Sequence, residues 1–278
     1  MRLGQIEHEG RRRIVQVGDE GARPLDFDGD LAQLVRAGVD PRSLPAAAEP
    51  LPGARLLAPI APGKIVAIGL NYLDHVRETG MDAPTAPLIF SKFPSSVVGP
   101  DEPIRFDPDL TQRVDWEVEL AVVVGRTMRD VSPTEAMDGV FGYTVANDVS
   151  ARDLQFGDGQ WVRGKSLDTF CPVGPVVVTP DEVGDVQGLA LSTRVNGETV
   201  QNSSTKEMVF GVAELLSFCS RNFTLEPGDL LLTGTPWGCG EFMDPRRSLA
   251  DGDVVEVEVE GIGRLVNPVV APSRAQAR

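Results

Sequence analysis

Histidine, cysteine and positive charge are all scarce in this chain of 278 residues. Two histidines, His8 and His75, exclude a zinc site of the HExxH kind and any multi-histidine cluster. If the protein uses an imidazole base, His75 is almost the only candidate, because His8 sits among charges near the start. The three cysteines, Cys171, Cys219 and Cys239, are too few and too scattered for a disulfide framework or a cysteine zinc site. They read as small buried hydrophobes. Lysine and arginine number 26 against 41 aspartates and glutamates, a formal net charge of -15. That balance argues against a nucleic-acid partner and against an anionic membrane surface. No apolar run approaches the roughly 18 residues needed to cross a bilayer. The opening residues lack the apolar stretch of a signal peptide, so a cytoplasmic location is expected. The length and the 41% of hydrophobic residues suit a soluble globular protein with a sizeable core.

What is present is organised around residues 113–124. Val114, Trp116, Val118, Leu120 and Val122 alternate with Asp115, Glu117 and Glu119, the period of a β-strand. The apolar set faces a core and three carboxylates line the other face. Like charges in one row repel where water is excluded. A hard, oxygen-loving ion such as Mg²⁺ or Mn²⁺ would relieve that repulsion, whereas a solvated outer sheet face would not need it.

Around this strand the chain divides in two. Residues 1–60 read as a small N-terminal domain and linker: short strands near Ile6, Ile14 and Val17, a short helix carrying Leu31, Leu34 and Val35, then a Pro- and Ala-rich connection. Residues 61–278 read as the catalytic domain, mainly β with a few helices (α+β). Its first strand breaks at Gly69 and leads into a helical turn that puts His75 and Glu78 three apart on one face. Such a pair can orient an imidazole as a base or be an ordinary surface pair. The turn ends at Gly80, and with the loop after it could form a lid. Lys92 reads as an ammonium able to meet an anion or as a solvated loop lysine. Asp148, after an apolar strand, reads as a third metal ligand or as a turn residue. Ser132 and Glu135 form a capping box. Asn196-Gly197 marks a hairpin, and Met208, Val212, Leu215, Leu216 and Cys219 mark one helical stripe. The glycines of Thr233-Gly234-Thr235-Pro236 allow the backbone and the Thr235 hydroxyl to approach a carboxylate closely. Residues 159–166, GQWVRGKS, satisfy the P-loop pattern, but they lack the preceding buried strand and following helix that a phosphate cradle needs.

Five segments together resemble the fumarylacetoacetate hydrolase family: GLNYLDHVRE (69–78), DWEVELAVVVG (115–125), GYTVANDVSARDLQ (142–155), GKSLDTFCPVGP (164–175) and PGDLLLTGTPWG (227–238). The resemblance implies a β-sandwich roll, a homodimer, and Mg²⁺ or Mn²⁺ held by Glu117, Glu119 and Asp148. It implies that His75 and Glu78 activate water. Arg152, Gln155, Lys165 and Thr235 would bind a 2-oxo or dicarboxylic acid substrate, and in the expected reaction Lys165 is also catalytic, neutralising oxyanion charge beside the dyad. Lys92, from its local sequence and not from the resemblance, is a further candidate anion contact. Asp115 falls outside the ligand pattern. The expected reaction is hydrolysis of a C–C bond in a 2,4-dioxo acid through an enolate. Oxaloacetate decarboxylation or 2-hydroxydienoate isomerisation at the same site are the alternatives. The run 238–249, GCGEFMDPRRSL, departs from a simple glycine-rich loop and is expected to reshape one pocket wall.

Overall fold

Alternating apolar segments without long helices dictate a protein of sheets, and the computed structural model, which describes residues 1–51 and 53–271, is mostly β with few helices. The larger sheet runs, from edge to edge, Gly21–Pro24, Arg11–Gly18, Arg2–His8, Cys171–Val178, Val140–Asn147, Val118–Val124, Leu230–Leu232, Ile65–Gly69 and Leu88–Lys92. The smaller sheet runs Glu198–Ser204, Ala190–Val195, Val254–Val259, Gly263–Val270 and Ile104–Arg105. Side chains from both sheets, among them Leu120, Val122, Val145, Val176, Leu191, Val257 and Leu265, make one shared core. This is sheet-on-sheet packing.

Parity along the central strand holds as the sequence indicates, but its outer face is not solvated. Val118, Leu120, Val122 and Val124 enter the inter-sheet core. Ala121 and Val123 enter a second core on the opposite side, with Leu3, Ile14, Leu31, Leu34, Ile65 and Leu230. The N-terminal segment thus covers the continuation of the carboxylate face at Ala121 and Val123, and Glu117 and Glu119 are buried as well. Regular pairing lapses at Trp116–Glu117: Val114–Asp115 pairs with Ser150–Ala151, and Val118–Val124 pairs with Val140–Asn147.

The N-terminal segment joins the large sheet directly, through Arg2–His8 against Cys171–Val178 with Arg2 opposite Val178. The Pro- and Ala-rich stretch contributes Leu56–Leu57 as a strand beside Arg2–His8. Helix Leu31–Arg36, capped by Asp30 and Gln33, lays its apolar side on the second core. The capping box at Ser132 and Glu135 is present. Asn196 and Gly197, both at positive φ, turn the hairpin between Ala190–Val195 and Glu198–Ser204. The helix expected from Met208 starts only at Val212 and runs to Asn222, while Met208 bridges to Tyr72. No helix among the described residues is long and apolar enough to cross a membrane.

The shared sheet has a measurable consequence. All three tryptophans, Trp116, Trp161 and Trp237, lie beyond residue 60, so their fluorescence reports on that part of the chain alone. Leu3 is fully buried, and Leu3→Ala is expected to lower stability by about 2–5 kcal/mol. Urea unfolding followed by tryptophan emission should show that loss; an unmoved transition would mean the two parts unfold separately.

Candidate active site

Antiparallel pairing of two buried strands brings three carboxylates together. Val118 lies opposite Asn147, so Glu117 and Glu119 at the start of one strand stand beside Asp148, just past the end of the other. The crossing is fastened by Asp148 N–H donating to Glu117 O at 2.9 Å and Glu117 N–H donating to Asn147 Oδ1 at 3.0 Å. Oxygen atoms of Glu117, Glu119 and Asp148 lie within 4.8 Å of one another, and all three residues are buried.

Three buried cations oppose them. Lys165 Nζ reaches Glu117 Oε2 at 2.7 Å and Asp148 Oδ2 at 2.8 Å. Arg152 Nη2 lies 2.7 Å from Glu117 Oε1 and 2.7 Å from Asp115 Oδ2. Lys92 Nζ donates to Asp148 Oδ1 at 2.6 Å, to Val149 O, and to the backbone oxygen of Lys165. Lys92 is the last residue of a strand and fully buried. The expectation of a loop lysine, solvated or meeting a ligand, therefore gives way to an ammonium packed behind the acidic cluster. Asp115 is tied to Arg152 and to the backbone N–H groups of Trp116, Gly240 and Glu241, which leaves it a scaffold for Arg152.

Electrostatics separate the two glutamates of the pair. Burial alone would push the Glu117 carboxyl up, but Lys165 and Arg152 reverse the sign and bring it down to about 2. Glu119 is pushed well above the usual carboxylate range, first by burial and then by the charges of Asp148 and Glu117. Its partner is the Gly234 N–H, which donates to Oε2 at 2.7 Å. Gly234 has φ +97°, and a Cβ there would sit 2.9 Å from the Asn71 side chain, so the approach of this amide requires glycine. The Tyr72 hydroxyl is buried without a hydrogen-bond partner and feels the charge of Glu119. A dry carboxylate with one amide donor, among like charges, fits a hard divalent cation. Glu117, Glu119 and Asp148 would hold it.

A second pair faces the same space. Helix Leu73–Thr79, ended by Gly80 at φ 68°, places His75 Nδ1 2.7 Å from Glu78 Oε2. Glu78 Oε1 also accepts from Gly238 N–H at 2.8 Å. The preceding turn is pinned by Asp74, which accepts from Ser203 Oγ and from the N–H of His75. One turn of helix Arg152–Asp158 sets Arg152 Nη1 3.0 Å from Gln155 Oε1. Thr235 Oγ1 accepts from Gln201 Nε2 at 3.0 Å.

His75, Glu117, Arg152, Gln155, Lys165 and Thr235 line one small cleft of about 70 Å³. Its remaining wall is apolar, with Leu70, Met81, Phe90, Phe156, Trp161 and Phe242. Most of these carry no motif and were not legible in the sequence. Phe242 is the exception in part: it belongs to the aberrant run 238–249, and it meets the His75 ring edge-on at 5.4 Å. The P-loop pattern is not a P-loop here. Gly159 ends one helix at positive φ, Val162–Lys165 is a single helical turn, and Lys165 points into the acidic cluster.

Cation binding should follow these charges. Mn²⁺ affinity, measured by isothermal titration calorimetry, is expected to rise with pH, because Glu119 gives up its proton only above the usual carboxylate range. Glu117→Gln should weaken it by at least about tenfold, since even outer-shell changes at metal sites cost about that much. Unchanged affinity in that variant would place the cation elsewhere.

Comparison with known proteins agrees with this geometry. Residues 64–270 match the family model described as the C-terminal part of fumarylacetoacetate (FAA) hydrolase. A Xenopus laevis protein named as a mitochondrial oxaloacetate tautomerase is 51% identical over 218 residues, covering 77% of this chain and 68% of that protein. The solved structure of a fumarylacetoacetate hydrolase from Exiguobacterium antarcticum is 42% identical, covers 98% of this chain and 100% of its own, and superposes with a TM-score of 0.88. That of a 2-hydroxyhepta-2,4-diene-1,7-dioate isomerase from Mycobacterium marinum is 39% identical, covering 99% and 100%, with a TM-score of 0.82. With the five motifs lying on one cleft and the match extending over most of the length, the chain belongs to the fumarylacetoacetate hydrolase family.

Proposed function

We propose that this enzyme interconverts the keto and enol forms of a short 2-oxo acid, with oxaloacetate the first candidate. The observation that carries the reading is the His75–Glu78 pair, 2.7 Å apart, with His75 lining the same cleft as Glu117 of the acidic triad, Arg152 and Lys165. A carboxylate at that distance accepts the Nδ1 proton, which leaves the lone pair on Nε2 and makes it the base. A divalent cation on Glu117, Glu119 and Asp148, when bound, would supply Lewis acidity toward the substrate oxygens. Arg152 and Lys165 add positive charge to the same wall.

In this scheme Nε2 of His75 removes a proton from C3. The electron pair forms the C2–C3 double bond and its charge moves to the C2 oxygen, opposed by the Lys165 ammonium. The imidazolium then returns its proton to that oxygen, giving the enol; the reverse path restores the ketone. Glu78 stabilises the imidazolium in between. Arg152, Gln155 and Thr235 would orient the carboxylate.

The sequence reading put C–C hydrolysis first and isomerisation among its alternatives. The relatives named as tautomerase and isomerase support the alternative. Hydrolysis of a 2,4-dioxo acid remains the second reading, favoured by the Exiguobacterium enzyme's name. In it the same histidine would take a proton from water.

An NMR time course with oxaloacetate and acetylpyruvate, in Mg²⁺ and against EDTA, separates the two. Cation-dependent acceleration of keto–enol exchange, without acetate, is expected. His75→Ala should slow turnover about 10²–10⁴-fold while Mn²⁺ affinity is retained. Acetate and pyruvate formed from acetylpyruvate at the faster rate would establish the hydrolase, and full turnover in His75→Ala would remove the base from the scheme.

A further inference from the structure

Cys239 takes no part in the chemistry above, yet its thiol lies beside the base. One ligand atom each from His75, Glu78 and Cys239 lies within 4.8 Å of the other two. The grouping joins two distant parts of the chain. His75 and Glu78 come from one helical turn, and Cys239 follows the Gly238 amide that donates to Glu78 at 2.8 Å. The sulfur is weakly engaged, with contacts of 3.9 Å to Gln201 Nε2 and to Pro236 O. Among the described residues the other such grouping is the carboxylate triad.

The two groups differ in donor type. The triad offers oxygen alone, which suits Mg²⁺ or Mn²⁺. The second group offers nitrogen, oxygen and sulfur, the set that selects Zn²⁺ and its thiophilic relatives. Three protein ligands, one of them, His75, lining the cleft, is also the ligand count of open zinc sites. Charge balances there: one carboxylate and one thiolate cancel a divalent ion, which matters for residues this buried.

We propose that His75, Glu78 and Cys239 form a second, soft cation site that takes Zn²⁺ or Cd²⁺ and silences the base. On binding, Cys239 loses its S–H proton to solvent and the thiolate bonds the ion. A neutral imidazole has one in-plane lone pair, and that pair now bonds the ion. None is left to take a proton from substrate. One proton is released per ion and no oxidation state changes. The silencing rests on the reading of His75 as the base; the binding does not.

The test uses the full chain saturated with Mg²⁺ and titrated with Cd²⁺. The expected result is about one further equivalent bound, with the ultraviolet absorption of a cadmium–thiolate bond and one proton released per ion in weak buffer. Turnover should fall in step, with Zn²⁺ acting likewise. Cys239→Ser should abolish the absorption and raise the inhibitory Zn²⁺ concentration at least about tenfold, with Mg²⁺-supported turnover kept. Cys171→Ser and Cys219→Ser should change neither. Absorption that survives in Cys239→Ser, or unchanged inhibition there, would overturn the proposal, the latter by placing the ion on the carboxylate triad. Should Cys239→Ser fail to fold, Glu78→Gln gives the second reading. Its Cd²⁺ affinity, read from the same absorption, should drop at least about tenfold, and an unchanged value overturns the site. Absorption and proton count need no turnover, so failure of the proposed reaction leaves them readable.

Discussion

The structure depends on a charge imbalance enclosed in a dry interior. Four carboxylates, Asp115, Glu117, Glu119 and Asp148, stand against three cations, Lys92, Arg152 and Lys165, all buried. Desolvating so many ions is costly, and mutual pairing returns most but not all of that cost. The pairing is nearly complete for Glu117, Asp148 and Asp115, each held by at least one cation. Glu119 has no cation bonded to it, and burial with the charges of Asp148 and Glu117 favours its protonated form. A divalent cation that displaced this proton would leave the cluster net positive, and a cleft of that polarity draws an anion even into a protein of net charge -15.

The fold serves this arrangement by burying the central strand on both faces. One face belongs to the inter-sheet core and the other to a core completed by the N-terminal segment. The triad itself is closed off by Lys92, Arg152, Lys165 and the Gly234 amide. None of the first 60 residues lines the cleft. His75 is arranged on a different plan. It lies on a short helix held at both ends by acids, Asp74 to Ser203 and Glu78 to Gly238. The helix can be ordered without burying much apolar surface.

The alternation from Val114 to Val122 was legible, and so was the acidic face, because side-chain period follows directly from backbone geometry. The His75–Glu78 spacing was legible for the same reason, and it stood out because histidine is rare. Solvation of that acidic face was not legible. It depends on which distant segment packs over the sheet, and the pattern of residues 1–60 suggested a separate module. Lys92 shows the same limit in one residue: its local surroundings suit a loop lysine, while its burial is set by Asp148 and by the carbonyl of Lys165, far along the chain. The aromatic wall was invisible because Phe90, Phe156 and Trp161 reach the cleft from three elements, and apolar residues have no spacing that marks them as lining.

The strict parity of Val118–Val124 carries a consequence for how this protein can diversify. Losing or gaining a single residue within that strand would exchange its faces, sending Glu119 into the inter-sheet core and an apolar side chain into the place of the acid. A bulge can absorb such a change at the end of the strand, where the pairing of Val123 and Val124 with Gly142 and Val140 already shifts by one residue, but not beside the acids without moving them. The cleft wall is under no such restriction, since Leu70, Met81, Phe156 and Phe242 can each be replaced without altering any register. Lineages descended from this scaffold are therefore free to change the shape of the cleft, while the frame that presents the three carboxylates admits substitution at its edges but neither insertion nor deletion at its centre.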